Sequence, residues 1–342
     1  MATQPIVPDV FHYRTLTKGI NEITTRPNFL TNLILNHPAA RAPLYFPTKT
    51  VEFDVKTGSQ KILPFLKRRD RAIMQLLPQY THHIVEPPTL KHGDDLVYDE
   101  IFTERWFDEL ALSNSIARNH VMMRINEMQT NLRERIENTI EWMLAQILTS
   151  GKITYSGDND RFEFDFNVPT AFLDATATWK DATAITPLED IRTWKKLINK
   201  ATGFSNFIAL ATPDVAEALM DNTAIASKLD KRSDSSSIGF DFPRIGVLNG
   251  ITIYEFDEQV IGHAGTEIDL QGASDYFILL APEAIRMYYA ASFNRQGPVM
   301  DKYYSWSEET KDPEGFKIYA QSHPVPVLEY RMGMVRATVT VS

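Results

Sequence analysis

The sequence predicts an α+β fold, and three patterns along the chain support this class. Apolar residues recur at every third or fourth position from Val121 to Ile147, which is the spacing of one face of an α-helix. The segment Phe162 to Phe166 then alternates apolar and charged residues, as a half-buried strand does. With the strand-like run Lys152 to Tyr155 and the turn residues Gly157 to Asp160, it predicts a β-hairpin directly after the helix. Between Asn206 and Leu280, strand-like runs alternate with helix-like runs.

Residues 1–46 are predicted to form an irregular, apolar arm. Proline recurs in this segment too often for a long helix, for example at Pro8, Pro27 and Pro38. Large apolar side chains are also frequent, so the composition is not that of a disordered segment. We therefore expect the arm to lie on its own domain or on a neighbouring subunit.

A β-hairpin is predicted from Thr48 to Phe65. Apolar and charged residues alternate from Val51 to Lys56, Lys56-Thr57-Gly58-Ser59-Gln60 forms the turn, and Lys61-Ile62-Leu63 returns. Just beyond it, Lys67-Arg68-Arg69-Asp70-Arg71 sets four cations against one carboxylate. This cluster is either a solvated face or a contact with an acidic partner. Because the whole chain is acidic, another copy of the same protein is one such partner.

The long helix comes next. Neither Gly nor Pro occurs between Asp94 and Ser150, and Gly151 supplies a residue suited to ending a helix. From Val121 to Ile147 the helix would be about 40 Å long at about 1.5 Å per residue. One face is predicted to be apolar and the other polar, the polar face carrying Arg124, Glu127, Asn131, Glu134, Asn138 and Glu141.

The second half of the chain contains further helices and strands. Thr186 is predicted to cap a helix, with Pro187 at its first position and Glu189 completing a capping box. Strands are predicted at Asn206 to Ala211 and at Tyr276 to Leu280. The alternating tail at the C-terminus predicts a final strand docked in a sheet.

Composition excludes several classes of function. The chain has 342 residues, of which 43% are hydrophobic, and a formal net charge of -9 at pH 7. Such an acidic chain has no net attraction to nucleic acid or to anionic membranes. No cysteine is present, so disulfides, thiolate metal sites and cysteine nucleophiles are excluded. No apolar run approaches the ~20 residues of a membrane span, and we expect neither a signal peptide nor a membrane partner.

We find no catalytic, cofactor-binding or metal-binding motif in the sequence. His82-His83 with His92, Asp94 and Asp95 is the best metal candidate, but adjacent histidines on a strand point to opposite faces. An enzyme would need polar residues grouped at the carboxyl ends of the predicted strands. Asp214 and Glu283 lie there, but their surroundings read better as helix starts. We expect no cofactor, and we predict that the protein is not an enzyme.

Collinear segments along most of the chain resemble the lambda-like phage major capsid protein family (capsid protein E), which has the Hong Kong 97-like capsid fold. Tyr45 to Val51 is similar to the family's entry into its extended hairpin, and Ile84 to Pro88 to the proline-rich return. Arg133 to Tyr155 resembles the end of the spine helix and the following strand. Gly250 to Tyr254 and the ending from Phe316 to Val339 recur in the same order. No single motif is diagnostic.

The resemblance implies a division of the chain into four parts. These are an N-terminal arm (1–46) on a neighbouring subunit, an extended hairpin loop (47–74), a peripheral domain with the spine helix (75–185 and 310–342), and an α/β axial domain (186–309). The function implied is that of the major capsid protein of a tailed bacteriophage. Another phage structural protein, such as a tail or head–tail adaptor protein that forms rings or tubes, is the alternative.

The partners implied are other copies of the chain, as pentamers and hexamers, together with a portal and a separate scaffolding protein. The need for a decoration protein is open, and contact with packaged DNA is expected to be non-specific. The protein would reside in the virion after assembly in the host cytoplasm. The predicted assembly interface comprises Lys56, Thr57, Gly58, Ser59, Gln60, Lys61, Arg68, Arg69 and Arg71.

Overall fold

The fold is described from a computed structural model of the chain. The residues that the structure describes are 11–23, 28–56, 80–97, 114–156, 161–181, 183–229, 244–262, 267–272, 274–295, 297–312 and 314–341.

Helices occur in the arm, in the centre of the chain and in the α/β segment. They are α1 (Tyr13–Glu22), a π-helical turn (Thr31–Leu35), α2 (Asn114–Ser150), α3 (Thr170–Leu173), α4 (Thr186–Thr202), α5 (Pro213–Asp221), α6 (Thr223–Ala226) and a 3₁₀ turn (Pro282–Ala284). None of the described helices combines the length and the hydropathy that a bilayer crossing requires.

Strands fill most of the remaining described chain. They are β1 (Leu44–Phe46), β2 (Val51–Lys56), β3 (Tyr80–Val85), β4 (Leu90–Val97), β5 (Lys152–Ser156), β6 (Arg161–Asp165), β7 (Ala175–Thr178), β8 (Ile208–Ala211), β9 (Arg244–Leu248), β10 (Ile251–Glu255), β11 (Gln259–Ile261), β12 (Glu267–Asp269), β13 (Tyr276–Leu280), β14 (Ile285–Ala290), β15 (Ser292–Asn294), β16 (Gly297–Val299), β17 (Tyr304–Lys311), β18 (Glu314–Ser322), β19 (Pro324–Leu328) and β20 (Met334–Thr340). The predicted helix–hairpin unit is therefore present as α2, β5 and β6.

The largest sheet has six strands in the order β7-β20-β13-β8-β10-β9, and it separates two hydrophobic cores. Successive residues of a strand point to opposite faces. Ile208 and Leu210 accordingly belong to the core that contains α2, whereas Ala209 and Ala211 belong to the core that contains α4. The final strand β20 is docked between β13 and β7, as the alternating tail predicted.

Two three-stranded sheets pack around α2, and their strands come from distant parts of the chain. Their orders are β1-β14-β19 and β17-β18-β4. The strand pairs β13–β20 and β17–β18 each cross the predicted boundary between residues 309 and 310. The division into domains therefore stays a prediction, and the sheets themselves do not follow it.

The long helix extends further than predicted, from Asn114 to Ser150. At about 1.5 Å per residue it spans about 55 Å. Its predicted apolar positions are buried wherever their side chains are described, namely at Ile125, Met128, Leu132, Ile136, Ile140, Met143 and Ile147. Gly151 follows it with φ of 69°, a left-handed conformation that glycine adopts without strain.

The arm contains a helix that was not predicted, and it follows one of the two predicted alternatives for its packing. Its residues 13–22 form the regular helix α1, because the stretch between Pro8 and Pro27 holds no proline and has apolar residues at helical spacing. The described part of the arm also packs on its own chain. Leu16, Ile20 and Leu30 are each at most 2% exposed in a single subunit.

Two further details concern the predicted hairpin and the predicted helix cap. The described partner of β2 is β3, with Val51 opposite Val85, and the predicted return strand Lys61-Ile62-Leu63 lies outside the described residues. Helix α4 begins at Thr186 itself, and Ile185 occupies the cap position without a side-chain hydrogen bond. The predicted capping box is absent because Thr186 already lies inside the first turn.

Candidate functional site

The predicted assembly residues fall mostly in segment 57–79. Thr57, Gly58, Ser59, Gln60, Lys61, Arg68, Arg69 and Arg71 lie outside the described residues. Lys56 is described as the last residue of β2, directly before this segment. The structure therefore shows the contacts of one predicted interface residue, Lys56.

Lys56 is held by the loop that precedes β20. Its backbone N–H donates a hydrogen bond of 2.7 Å to the carbonyl oxygen of Glu329. Lys56 and Tyr330 also form an isolated parallel β-bridge between these two segments of the chain. The Lys56 ammonium lies 5.4 Å from the centroid of the Tyr330 ring, within the range of a cation–π contact. One face of the β2–β3 pair is also buried through Val51, Phe53 and Val55.

Glu329 is a buried carboxylate that joins three parts of the chain. The residue is 4% exposed, and its side chain lies 2.6 Å from the guanidinium of Arg41 in the arm. The hydroxyl of Tyr288 in β14 donates to it at 2.6 Å, and Arg286 lies 3.7 Å away. Burial and then this contact with Glu329 raise the pKa of Tyr288, which therefore stays a neutral donor. We call Glu329, Arg41, Arg286, Tyr288 and Tyr330 the Glu329 hub.

Helix α1 covers the open edge of β17 by means of side chains. The hydroxyl of Thr17 donates to the carbonyl oxygen of Ser305 and accepts from its N–H, at 3.0 and 3.1 Å. Asn21 does the same one turn later with Tyr303, at 2.9 and 3.3 Å. These two side chains thus provide the donors and acceptors that a neighbouring strand would provide at the start of β17.

Glu137 on α2 is the centre of a second buried network. Its carboxylate lies 2.9 Å from Arg133 and 3.5 Å from Lys302, and the hydroxyl of Tyr303 donates to it at 2.7 Å. Burial alone would raise the pKa of Glu137, but Lys302, Tyr303 and Arg133 together outweigh burial and lower it. Arg133 also donates to the carbonyl oxygens of Ile20 and Ile23, which ties the arm to the long helix.

Glu141 lies one turn further along α2 and holds the second part of the arm. Its carboxylate accepts hydrogen bonds from the N–H groups of Leu30 and Thr31 and, at 2.8 Å, from the Thr31 hydroxyl. These N–H groups open the helical turn of the arm, so Glu141 caps that turn from another helix. The side chain is 3% exposed, and burial raises its pKa to about 7, with a smaller contribution from nearby Glu258.

The sequence prediction placed Glu141 on the polar outer face of the helix, and this was wrong. The arm packs over part of that face, so a carboxylate at a polar helical position becomes buried. Helical periodicity alone gives no sign of which polar residues a distant segment will cover. The polar residues within the largely apolar stretch 28–35 of the arm, among them Asn28 and Thr31, could have drawn attention to the contact.

The residues considered for metal binding or catalysis are spread over the structure. His82 lies 3.0 Å from Asp54, and His92 contacts Arg135. No group of three or more metal-ligating residues occurs among the residues that the structure describes. Since β8 and β13 are antiparallel, Asp214 and Glu283 follow them at opposite edges of the sheet. Asp214 and Glu283 therefore do not form the polar grouping that the enzyme hypothesis requires.

Comparison with known proteins places these features in context. A family model for phage major capsid protein E matches residues 12–339. A solved structure assigned as a prophage capsid protein from E. coli CFT073 is 16% identical, with a TM-score of 0.68, over 96% of this chain and 99% of that chain. A phage-related protein from Bordetella bronchiseptica RB50 is 9% identical, with a TM-score of 0.50, over 95% of each chain. These two likenesses concern the fold. No curated protein matches the chain.

Proposed function

The chain belongs to the phage major capsid protein E family, and from this premise we propose how it builds a shell. It assembles with copies of itself, as pentamers and hexamers, into the icosahedral shell of a tailed bacteriophage. Its place is then the virion, after assembly in the host cytoplasm. A scaffolding protein, a portal and non-specifically held DNA belong to the same proposal, as does the absence of a catalytic role.

The anchoring of segment 57–79 is the observation that carries the assembly proposal. Both ends of the segment leave from the paired strands β2 and β3, and Lys56 at one end is fixed to the Glu329 hub. Fixing the two ends of a segment removes part of the conformational freedom that it would otherwise lose on contact with a neighbouring copy. Arg41 of the arm forms an ion pair with Glu329, to whose backbone Lys56 is hydrogen-bonded. Contacts through Glu329 therefore link the arm to the residue that precedes the segment.

The contact that we propose is between unlike charges. Segment 57–79 carries the basic cluster Lys67-Arg68-Arg69-Asp70-Arg71, whereas the chain as a whole has a net charge of -9. From Ile245 to Ile285 the sequence contains acidic residues and no Lys or Arg. Charge of this kind orients subunits during association and suppresses wrong pairings.

The four-part division into arm (1–46), hairpin loop (47–74), peripheral domain (75–185 and 310–342) and axial domain (186–309) is part of the proposal.

Electron microscopy of a charge-reversal variant tests the proposal. The variant is Arg68→Glu, Arg69→Glu, Arg71→Glu, expressed with its neighbouring phage genes and viewed in negative stain. We expect the parent chain to form closed isometric shells and the variant to form none, with free subunits or capsomers in their place.

The matched control carries the same change of charge on an exposed helix face, as Arg192→Glu, Lys196→Glu, Lys200→Glu on α4. Shells in the control and none in the variant support the charged contact. Shells of normal yield from the variant would contradict the role of the basic cluster. Tubes or open rings from the parent chain would favour a tail or adaptor protein over a shell protein.

A further inference from the structure

The β11–β12 ribbon has one face against the protein and one face toward solvent. Val260 and Leu270 pack on the hydrophobic core that contains α2. Successive strand residues point to opposite faces, so Ile261 points away from that core, and it is 78% exposed. A single exposed apolar residue is common on protein surfaces, and its surroundings decide what it means. The outer face of the ribbon comprises Gln259, Ile261, Glu267 and Asp269.

The outer face surrounds Ile261 with negative charge. Glu267 is the partner of Ile261 across the ribbon, and Asp269 is the partner of Gln259. The amide of Gln259 donates to the Asp269 carboxylate at 2.6 Å, which orients this carboxylate without cancelling its charge. Both acidic residues are exposed, and the chain has no Lys or Arg from position 245 to position 285. An apolar centre within a polar rim is the usual layout of a protein–protein contact.

We propose that the outer face of the ribbon binds segment 57–79 of a second copy of the chain. Ile261 then contacts apolar residues of the segment, and the carboxylates of Glu267 and Asp269 pair with its basic cluster. The inference rests on the proposed function and deepens it, because it names the surface that the basic cluster contacts. One copy supplies the segment and the next supplies the ribbon, so the contact is heterologous. Repeated contacts of this kind close a ring when the rotation between copies allows it.

The composition of segment 57–79 fits both parts of this face. Its basic cluster is directly preceded by four large apolar residues, which are Ile62, Leu63, Phe65 and Leu66. The apolar residues can cover Ile261 while the adjoining cations meet the acidic rim. Unlike charges around an apolar contact fix the register of the two partners and disfavour wrong ones.

The position of the basic cluster along the chain also fits a contact with another copy. Arg68 lies twelve positions after Lys56 and twelve positions before Tyr80, so it is equally far from the two strands that hold the segment. At roughly 3.3 Å per residue, it can lie up to about 40 Å from either strand. The radius of gyration of a compact chain of this length is about 20 Å. The segment is therefore long enough to reach a neighbouring copy.

Charge reversal on the ribbon tests the contact by negative-stain microscopy of the protein expressed with its neighbouring phage genes. The ribbon variant is Glu267→Lys, Asp269→Lys, and we expect it to form no closed shells. The matched control is Glu217→Lys, Asp221→Lys, which makes the same change of charge at exposed positions on α5 and should form shells. Shells of normal yield from the ribbon variant would overturn the inference. If the basic-cluster variant then still formed none, the proposed function would stand without this partner surface.

A chain that combines both charge reversals separates a lost contact from a damaged fold. It carries Arg68→Glu, Arg69→Glu and Arg71→Glu together with the two changes on the ribbon. Segment and ribbon then again have unlike charges, with the signs exchanged. We expect the yield of shells to rise about tenfold above that of either parent variant. No recovery in the combined chain would overturn the contact.

Coexpression of the basic-cluster variant and the ribbon variant distinguishes a contact between copies from one within a chain. Within each variant, segment and ribbon have like charges. Where the two variants alternate around a hexamer, every segment faces a ribbon of opposite charge. We therefore expect the mixture to form shells or ordered sheets of hexamers that neither variant forms alone. Recovery in the combined chain without recovery in the mixture would assign the contact to a single chain and overturn the second copy as partner.

The apolar part of the contact is tested separately by Ile261→Ser, which removes apolar area and no charge. We expect the yield of shells to fall about tenfold, since a central apolar residue contributes more to binding than the rim. Met220→Ser, at a 40% exposed position on α5, is the control and should keep the parental yield. Parental yield from Ile261→Ser would overturn the role assigned to this residue.

Discussion

The Glu329 hub should contribute strongly to the stability of the subunit. The perturbation is Glu329→Gln, which keeps the shape of the side chain and removes its charge. Arg41 and Arg286 then lose their shared counter-charge, while Tyr288 can still donate to the remaining amide oxygen. Because Lys56 bonds to the backbone of Glu329, displacement of this residue should also loosen the base of β2.

The magnitude follows from the burial of the partners. Removing one member of a fully buried ion pair costs about 3 to 5 kcal/mol, mainly because the other charge is left uncompensated. Arg41 is 30% exposed and Arg286 22% exposed, so water compensates part of this charge. We therefore expect a loss of about 2 kcal/mol, less than the fully buried value. Arg41→Met in a double-mutant cycle should show a coupling of about 1 kcal/mol or more.

Urea unfolding of the isolated subunit, followed by tryptophan fluorescence, provides the assay. Glu217→Gln is the matched control, since it removes the same charge from an exposed position on α5. The control should change the free energy of unfolding by no more than about 0.5 kcal/mol. If Glu329→Gln behaved like the control, or if the cycle showed no coupling to Arg41, the hub would not be a source of stability.

Two further predictions concern packing. Leu144→Ala, at a position with 0% exposure on α2, should lower the free energy of unfolding by about 2 to 5 kcal/mol in the same urea assay. Met123→Ala, 66% exposed on the same helix, should stay within about 0.5 kcal/mol, and equal effects would contradict the assigned buried face. Gly93→Ala would place a Cβ atom 2.5 Å from Cδ1 of Tyr319, so a loss of about 1 to 3 kcal/mol is expected. Tyr319→Ser should restore part of that loss in the double variant, and the absence of any rescue would refute the steric explanation.

Local sequence patterns predicted much of the fold, because they depend on spacing along one element. The buried face of α2, the hairpin after it and the docked final strand were all confirmed, since a period of 3.6 or 2 follows from backbone geometry. The resemblance along the chain also indicated the family that the comparisons establish. The absence of cysteine and the acidic balance were determined by composition alone.

Other features depended on contacts between residues far apart in the chain. No spacing rule could show that Glu329 meets Arg41 across 288 positions, or that Thr17 and Asn21 would complete the edge of a strand near residue 305. The pairing of β2 with β3 across segment 57–79 was likewise missed, because a nearer return strand fitted the same alternation.

The sequence by itself therefore determined the long helix and its apolar face, the hairpin after it, the final strand and the family, since each is encoded in neighbouring residues or in their order. Tertiary structure decided which polar groups lose their water. Glu137 and Glu141 have the same chemistry and lie one turn apart, yet one is paired with cations and the other caps a turn of the arm. Burial and partners set the charge of each residue, and these arise only when the arm folds against the helix.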